Sequence, residues 1–239
     1  MRVVAFIFAL LALQSWAAEK PKIVFVAGEY EYLSRETLPK FAEELGKTKD
    51  AEIVILSRPE DPKQQTIPAL ETLKESDLLV LFVRRMTLPE HEVKFFQDYA
   101  ASGKPLVALR TSSHAFENWK EFDKDVLGGN YQGHHGAKLK TTVSVIPAVK
   151  DHPLLRGVSG FVSEGSLYRN SPLQPGTKPL LMGEVEGKPP EPIAWTHEYK
   201  GARVFYTSLG HPSDFKEEAF RRLVTNAIGW ALKEQEKLP

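Results

Sequence analysis

One histidine and the absence of cysteine bear most directly on the chemistry of this 239-residue sequence. The apolar run at residues 202–208 precedes Gly210 and His211, a pattern typical of a buried strand that carries a histidine at its exposed end. Imidazole titrates near neutral pH, so His211 could act as a general base or a metal ligand, or it could simply fix the turn before the last helix. Because the chain contains no cysteine, thiol nucleophiles and disulfide bonds are excluded.

Two charged residues follow other apolar runs and could meet a ligand beside His211. The carboxylate of Glu31 could be a general base, a metal ligand or an acceptor for ligand hydroxyls, or it could pair with Arg35. Arg110 could clamp an anionic or ketone-bearing ligand, or it could form a buried ion pair with Glu31 or Glu164. Each reading depends on which side chains the fold brings together.

Further histidines lie where they could complete such a site. His114 follows the fourth apolar run and could be a ligand, an acid–base group or a helix cap. The glycine-rich loop at 127–136 carries His134 and His135, of which we expect one in the site and one in support, because neighbours on extended backbone point in opposite directions. His114, His135 and His211 have ligand types that suit zinc or a similar divalent ion, although no compact motif such as HExxH is present.

The candidate residues divide into a catalytic set and a substrate-binding set. We predict a catalytic set of His211, Glu31, His114 and Arg110. The predicted substrate-binding residues are Tyr32, Arg84, Ser112, His134, Tyr168 and Trp195. The aromatic members could stack on a ligand ring or pack in the core. A serine hydrolase centred on Ser112 is disfavoured because the glycines of a GxSxG elbow are missing.

Alternating strand and helix patterns in the first half predict a parallel sheet with helices on both faces. The predicted strands are residues 22–27, 52–56, 77–83 and 105–109, and the predicted helices are residues 34–45, 66–74 and 89–101. Ser34 is the predicted N-cap of the first helix. In open sheets of this class, ligands bind outside the carboxyl ends of the strands. The candidate residues lie directly after those ends.

The second half predicts less regular structure. Residues 138–146 alternate in the manner of a half-exposed strand, and residues 192–196 and 202–208 would pair as a hairpin. Residues 214–233 predict an amphipathic closing helix with Asp214 as its N-cap and an acidic residue three positions later.

Residues 1–18 have the pattern of a secretory signal peptide. After a basic start, residues 3–13 form an apolar stretch too short to span a bilayer comfortably, and Ala17 or Ala18 supplies the small residue before cleavage. Cleavage would leave one domain, residues 19–239, in the periplasm or outside the cell and without membrane attachment. An uncleaved anchor is the alternative.

The charge balance argues against nucleic acid as a partner. Acidic and basic residues number 31 each, so the formal net charge is +0 at pH 7. The sequence also lacks a Lys/Arg run or an array of interleaved basic and aromatic residues. We therefore expect a small molecule as the partner.

Taken together, the motifs resemble the ThuA-like family, which is named for trehalose utilisation. The resemblance covers about residues 22 to 232 and rests on Gly28-x-Tyr30-Glu31-Tyr32, on Leu-Arg-Thr-Ser-x-His-Ala-Phe at 109–116, on Gly-His-His-Gly at 133–136, on Trp-Thr at 195–196 and on the strand with His-Pro that ends at 212. It implies a flavodoxin-like three-layer α/β sandwich with a mostly parallel sheet, as in class I glutamine amidotransferases. It also implies an exported, sugar-related protein whose ligand is a small carbohydrate.

Two departures from the amidotransferase pattern exclude glutamine hydrolysis. Arg110-Thr111 stand where true amidotransferases carry the nucleophilic cysteine, and Ser213 stands where an acid is expected two residues after the base. The leading hypothesis is therefore an enzyme that hydrolyses or isomerises a carbohydrate or keto-sugar derivative, with zinc or a similar divalent metal as a candidate cofactor. The alternatives are a non-catalytic sugar-binding module and an interaction domain whose histidines do not converge.

Overall fold

A single mixed sheet forms the centre of the protein. The computed structural model describes residues 20–234, within which nine strands pair in the order β2-β1-β3-β4-β9-β8-β7-β5-β6. The strands are β1 (Lys22–Gly28), β2 (Glu52–Ser57), β3 (Leu78–Val83), β4 (Leu106–Leu109), β5 (Thr141–Val145), β6 (Phe161–Ser163), β7 (Lys178–Glu184), β8 (Glu191–Tyr199) and β9 (Ala202–Thr207). The helices are α1 (Ser34–Gly46), α2 (Glu90–Ala101) and α3 (Glu218–Ala231).

The apolar run of β1 is continuous because both faces of the sheet are covered. Side chains alternate along a strand, so Ile23 and Phe25 join one apolar cluster while Val24 and Val26 join the other. Helices α1 and α3 pack on the first face, and α2 packs on the second. The layered arrangement expected from the alternating first half is therefore confirmed.

The prediction of a mostly parallel sheet is wrong. Among the described strands, the β1–β2, β1–β3, β3–β4 and β4–β9 pairs are parallel, whereas the β5–β6, β5–β7, β7–β8 and β8–β9 pairs are antiparallel. A parallel pair needs a long crossover, usually through a helix, while an antiparallel pair can be joined by a short turn. The described chain has no α-helix between β4 and β9, so its second half adds antiparallel strands. The predicted hairpin is confirmed as β8 and β9.

Three local predictions are corrected by the structure. The helix predicted at 66–74 is only a 3₁₀ turn at Leu70–Lys74. The closing helix is divided into a 3₁₀ turn at Asp214–Lys216 and α3, so Asp214 does not cap a long helix. At the start of α1, Leu33 holds the cap position, because the Ser34 hydroxyl instead bonds the backbone of Glu29.

The carboxyl ends of β1, β3, β4 and β9 lie at one edge of the sheet because these strands are mutually parallel or share a parallel neighbour. The segments that follow them carry Glu31, Arg84, Arg110 and His211. The predicted signal peptide at residues 1–18 falls outside the described residues. Within residues 20–234, no helix combines the length and apolarity needed to cross a membrane.

Candidate functional site

The backbone of Arg110 makes a sharp, strained turn at the end of β4. Its φ of 43° is in the left-handed region, which residues with a side chain seldom adopt. The hydroxyl of buried Tyr206 donates a 2.6 Å hydrogen bond to the Arg110 carbonyl and holds this turn. Gly210 approaches from the β9 side with a φ of 129°, and a Cβ there would lie 3.3 Å from the Arg110 Cβ. The turn thus depends on packing between two neighbouring strand ends.

The guanidinium of Arg110 is a buried cation with few partners. Arg110 is 1% exposed, and its Nη1 donates one hydrogen bond of 2.8 Å to the carbonyl of Ser208. Its Cζ lies 3.9 Å from the ring centroid of Tyr32 and 5.0 Å from that of Tyr168. Among the described residues, nothing accepts a hydrogen bond from Nε or Nη2. Such unpaired buried donors are rare and call for an explanation.

The ion pairs considered for Arg110 do not form. Glu31 instead pairs with Arg84 at 3.1 Å, and Glu164 pairs with Lys140 at 2.7 Å. Burial by itself lowers the pKa of Arg110, but Tyr168, Tyr32 and Asp214 outweigh that effect and the net shift is upward. The site therefore holds a permanent positive charge without a carboxylate in contact.

Aromatic rings surround this cation and extend the cluster to His114. The His114 imidazole stacks on Tyr131, with ring centroids 4.3 Å apart, and lies 6.0 Å from Tyr168. Burial, together with the charges of Arg85, Arg84 and Arg110, lowers the pKa of His114 to about 3. His114 is therefore a neutral imidazole at neutral pH, with one ring nitrogen that can donate a hydrogen bond and one that can accept.

The half-buried ring of His211 lies on the other side of Tyr32, with ring centroids 6.0 Å apart. Its Nδ1 accepts a hydrogen bond of 3.3 Å from the backbone N–H of Ser213 and lies 2.8 Å from the Ser213 hydroxyl. Because a backbone N–H can only donate, the hydrogen-bond pattern assigns the proton of the neutral ring to Nε2. Burial lowers the pKa of His211, so this ring presents an N–H donor at neutral pH.

Buried carboxylates hold the loops that carry these side chains. Glu29, which is 1% exposed, accepts the backbone N–H groups of Glu31 and Tyr32, the latter at 2.6 Å. Asp214, which is fully buried, accepts the N–H groups of Gly210 at 2.9 Å and of His211 at 3.0 Å. Each carboxylate thus fixes the backbone of a candidate site residue without touching its ring.

Asp123 plays the same part for Tyr131. Its Oδ2 accepts the Tyr131 backbone N–H at 2.7 Å, and burial raises the pKa of this carboxyl to about 6. Sequence reasoning missed the positioning roles of Glu29, Asp123 and Asp214. One signal was available, since an acidic residue directly after an apolar strand, as at Glu29, is well placed to accept loop N–H groups.

Several predicted site residues lie away from the cluster. Ser112 is buried and donates to the Leu81 carbonyl at 2.9 Å, and Trp195 is fully buried and donates to the Leu127 carbonyl at 2.7 Å. His134 is exposed, and its backbone pairs with that of Tyr168. These contacts give Ser112 and Trp195 structural roles, while Tyr32, Tyr168 and Arg84 stay beside Arg110 or Glu31.

The histidine set considered for a metal is not assembled. His135 instead hydrogen-bonds buried Glu191 through Nε2 at 3.1 Å. In residues 20–234, no group of three or more histidine, aspartate or glutamate side chains is arranged to hold a metal ion. Metal binding stays a prediction of the sequence, and no step below depends on it.

Comparison with known proteins places this arrangement in a family. The family model described as trehalose utilisation (ThuA) matches residues 22–231. A ThuA-like protein from Bacteroides uniformis is similar in structure, with a TM-score of 0.69 at 19% identity over 90% of this chain and 93% of that one. A ThuA-like protein from Parabacteroides merdae has a TM-score of 0.67 at 19% identity over 90% and 91% of the two chains.

A more distant structure relates the fold to amidotransferases. A glutamine amidotransferase from Thermotoga maritima has a TM-score of 0.51 at 10% identity and covers 88% of this chain and 98% of its own. At such identities the likeness shows the fold alone. No curated protein matches the sequence.

Proposed function

This chain belongs to the ThuA family, whose description is trehalose utilisation, and we propose that it binds and converts a carbohydrate that bears a carbonyl or carboxylate group. The family description points to a sugar-related role. The oxidised group, the reaction and the residues below are our proposal.

Two guanidinium nitrogens of Arg110, Nε and Nη2, carry this proposal because no described residue accepts a hydrogen bond from them. Buried donors without an acceptor destabilise the free protein, so a ligand oxygen that accepts from either nitrogen would recover free energy on binding. Charged or strongly polarised oxygens gain most from such a donor. A ketone-bearing sugar or a sugar acid provides such an oxygen, whereas an unmodified cyclic sugar offers only hydroxyl and ether oxygens, which are neither charged nor as strongly polarised.

The surrounding rings suit a carbohydrate. Tyr32 is half-buried beside the cation, and Tyr131 is half-buried beside His114. Sugar rings have apolar C–H faces that pack on aromatic rings, and their hydroxyls bond polar groups at the rim. Tyr168 is 2% exposed and packs against Tyr131, with ring centroids 4.8 Å apart.

The polar groups favour chemistry beside a carbonyl. Removal of a proton from the carbon next to a ketone leaves an enolate, whose oxygen would accept hydrogen bonds from Arg110 and from the Nε2–H of His211. Glu31, exposed and paired with Arg84, is the base that we assign to this step. If the deprotonated carbon carries a hydroxyl, transfer of that hydroxyl proton to the enolate oxygen and return of the proton held by Glu31 to the former carbonyl carbon would isomerise the sugar. Alternatively, a β-alkoxy group would leave as an alcohol with the proton held by Glu31, and addition of water across the resulting C=C bond would complete hydrolysis of the glycosidic bond.

A non-catalytic sugar-binding module is the second candidate. The observation that favours it is the lowered pKa of both His114 and His211. At neutral pH neither ring is then a charged imidazolium that could donate a proton. In that case the same pocket would recognise an oxidised sugar without changing it.

Calorimetric titration with trehalose, with trehalose that carries one ring ketone, and with glucuronate tests the proposal. We expect the oxidised probes to bind more tightly than trehalose, and Arg110→Lys or Arg110→Met to remove that preference. Equal binding of all probes, unchanged by either variant, would refute the proposal. Proton NMR of the ketone-bearing probe then distinguishes an enzyme from a binding module. Conversion of the probe by the wild-type protein, lost in Glu31→Gln, identifies an enzyme, whereas an unchanged spectrum with the wild-type protein identifies a binding module.

We also propose that the protein is exported and processed. The support is the pattern of residues 1–18. Sequencing the N-terminus of the protein isolated from its host should find Ala18 or Glu19 as the first residue. An intact N-terminal methionine on the mature protein would contradict export by signal cleavage.

A further inference from the structure

A second pocket adjoins the Arg110 cluster and shares two of its residues. This pocket has a volume of about 260 Å³, and its lining includes His114 and Tyr131 together with Trp119 and Asp123. Pockets that hold drug-sized ligands measure about 300–1,000 Å³, so a pocket of this size fits a single ring. His114 and Tyr131 therefore contribute both to this pocket and to the cluster around Arg110.

The walls of this pocket are aromatic. The Trp119 ring packs against buried Phe116 and Phe122, with ring centroids 5.8 Å and 4.9 Å away. Trp119 itself is only half-buried, so part of its ring is available to a ligand. An indole supported from behind by two phenyl rings is a rigid platform for the apolar face of a sugar.

The polar groups of the pocket favour a neutral ring over an anion. Asp123 is 7% exposed, and no described residue donates a hydrogen bond to its Oδ1. A hydroxyl can supply that bond, whereas a carboxylate or phosphate cannot. The cations at the rim are partly matched already, because Glu117 lies 3.3 Å from Arg85 and 4.0 Å from Lys120.

From these contacts we propose that the pocket formed by Trp119, Asp123, His114 and Tyr131 is a subsite for a second, unoxidised sugar ring. The substrate class is then a two-ring glycoside, with its oxidised ring at Arg110 and its neutral ring at Trp119. This inference rests on the proposed function and deepens it by fixing the size of the ligand.

The test compares one-ring and two-ring probes by calorimetry. Ketone-bearing trehalose has two rings, and ketone-bearing glucose has one. We expect the two-ring probe to bind the wild-type protein about tenfold more tightly, as a stacked ring with a satisfied hydroxyl would give. Trp119→Ala should reduce the affinity for the two-ring probe to that for the one-ring probe, and it should leave the affinity for the one-ring probe unchanged. Trp119→Phe should retain most of the difference in affinity between the two probes.

Trp230→Ala provides the matched control, because Trp230 is also half-buried but lies on α3, against Arg203. It should leave both affinities unchanged. The subsite would be overturned if the two probes bound the wild-type protein equally, or if Trp119→Ala lowered the affinity for both by the same factor. In either case an Arg110-dependent preference for the ketone would still support the proposed function. Binding of neither probe would overturn both proposals.

Discussion

Replacement of Arg110 by methionine separates the binding role of this residue from any role in stability. Methionine is a flexible, uncharged side chain that can fill the space between Tyr32 and Tyr168. Removal of a large, fully buried side chain normally destabilises a protein strongly. At Arg110 we expect a different result, because the side chain leaves two buried nitrogen atoms unpaired.

The magnitude follows from what the guanidinium gains and loses in the free protein. Its hydrogen bond to the Ser208 carbonyl contributes about 1.5–3 kcal/mol, and the contact with Tyr32 adds about 0.5–2 kcal/mol. Against this, desolvation of the two unpaired donors costs about 1–3 kcal/mol each, or about 2–6 kcal/mol in total. These contributions nearly cancel, so we expect Arg110→Met to change the free energy of unfolding by no more than about 1 kcal/mol.

Arg58 is the matched control because it is buried to a similar degree but uses its nitrogen atoms. It is 5% exposed, its Nε donates to the Gln64 carbonyl at 3.0 Å, and its Nη2 donates to the Pro62 carbonyl. Arg58→Met would leave both carbonyls without these donors, and we expect it to lower the free energy of unfolding by about 3–5 kcal/mol.

Urea denaturation followed by circular dichroism measures both variants, and calorimetry with the ketone-bearing probe measures binding. The expected pattern is a stable Arg110→Met protein that has lost its affinity for the oxidised sugar, beside an Arg58→Met protein that is destabilised. If Arg110→Met loses as much stability as Arg58→Met, the guanidinium is a structural group and the reasoning that assigns it to a ligand is wrong.

Three further predictions concern titratable groups. Burial raises the pKa of Asp123 from its usual 3.8 to about 6 in the folded protein, so the free energy of unfolding should fall by about 3 kcal/mol as the pH rises from 3.8 to 6. Urea denaturation of Asp123→Asn over the same pH range should show no such decrease. Asp214→Asn removes one carboxylate oxygen of the side chain that accepts the His211 backbone N–H, and it should lower the free energy of unfolding by about 1–3 kcal/mol. Asp151→Asn, at an exposed position, is the control and should leave the free energy of unfolding unchanged. The His114 ring, neutral because of its lowered pKa, should show no titration by NMR between about pH 5 and 8; a midpoint in that range would contradict the burial described here.

Local patterns in the sequence were enough to predict the elements that position the site. The continuous apolar runs of β1 and β3 reflect burial of both strand faces, because helices cover both sides of the sheet. The absence of cysteine likewise excludes thiol chemistry whatever the fold. The edge at which Glu31, Arg110 and His211 would lie followed from the rule for parallel strands.

Strand direction in the second half depended on more than local pattern. Residues 141–207 contain strands without an intervening α-helix, and only their pairing shows that β5 and β7 run antiparallel to their neighbours. The antiparallel hairpin of β8 and β9 was predicted from the sequence. The role of Asp214 was misread for a related reason. Its position suited a helix cap, but the fold places its carboxylate against the N–H groups of the preceding turn.

The sequence by itself determined that Arg110 follows a strand and that His211 ends another. Only the tertiary structure decided that Arg110 would lie between Tyr32 and Tyr168, with no carboxylate in contact and two nitrogen atoms unpaired. The spacing of apolar residues along the sequence shows which face of a single helix or strand is buried, because residues on one face recur at short, regular intervals. The partners of a buried charge come from distant segments, and packing of the whole fold selects them.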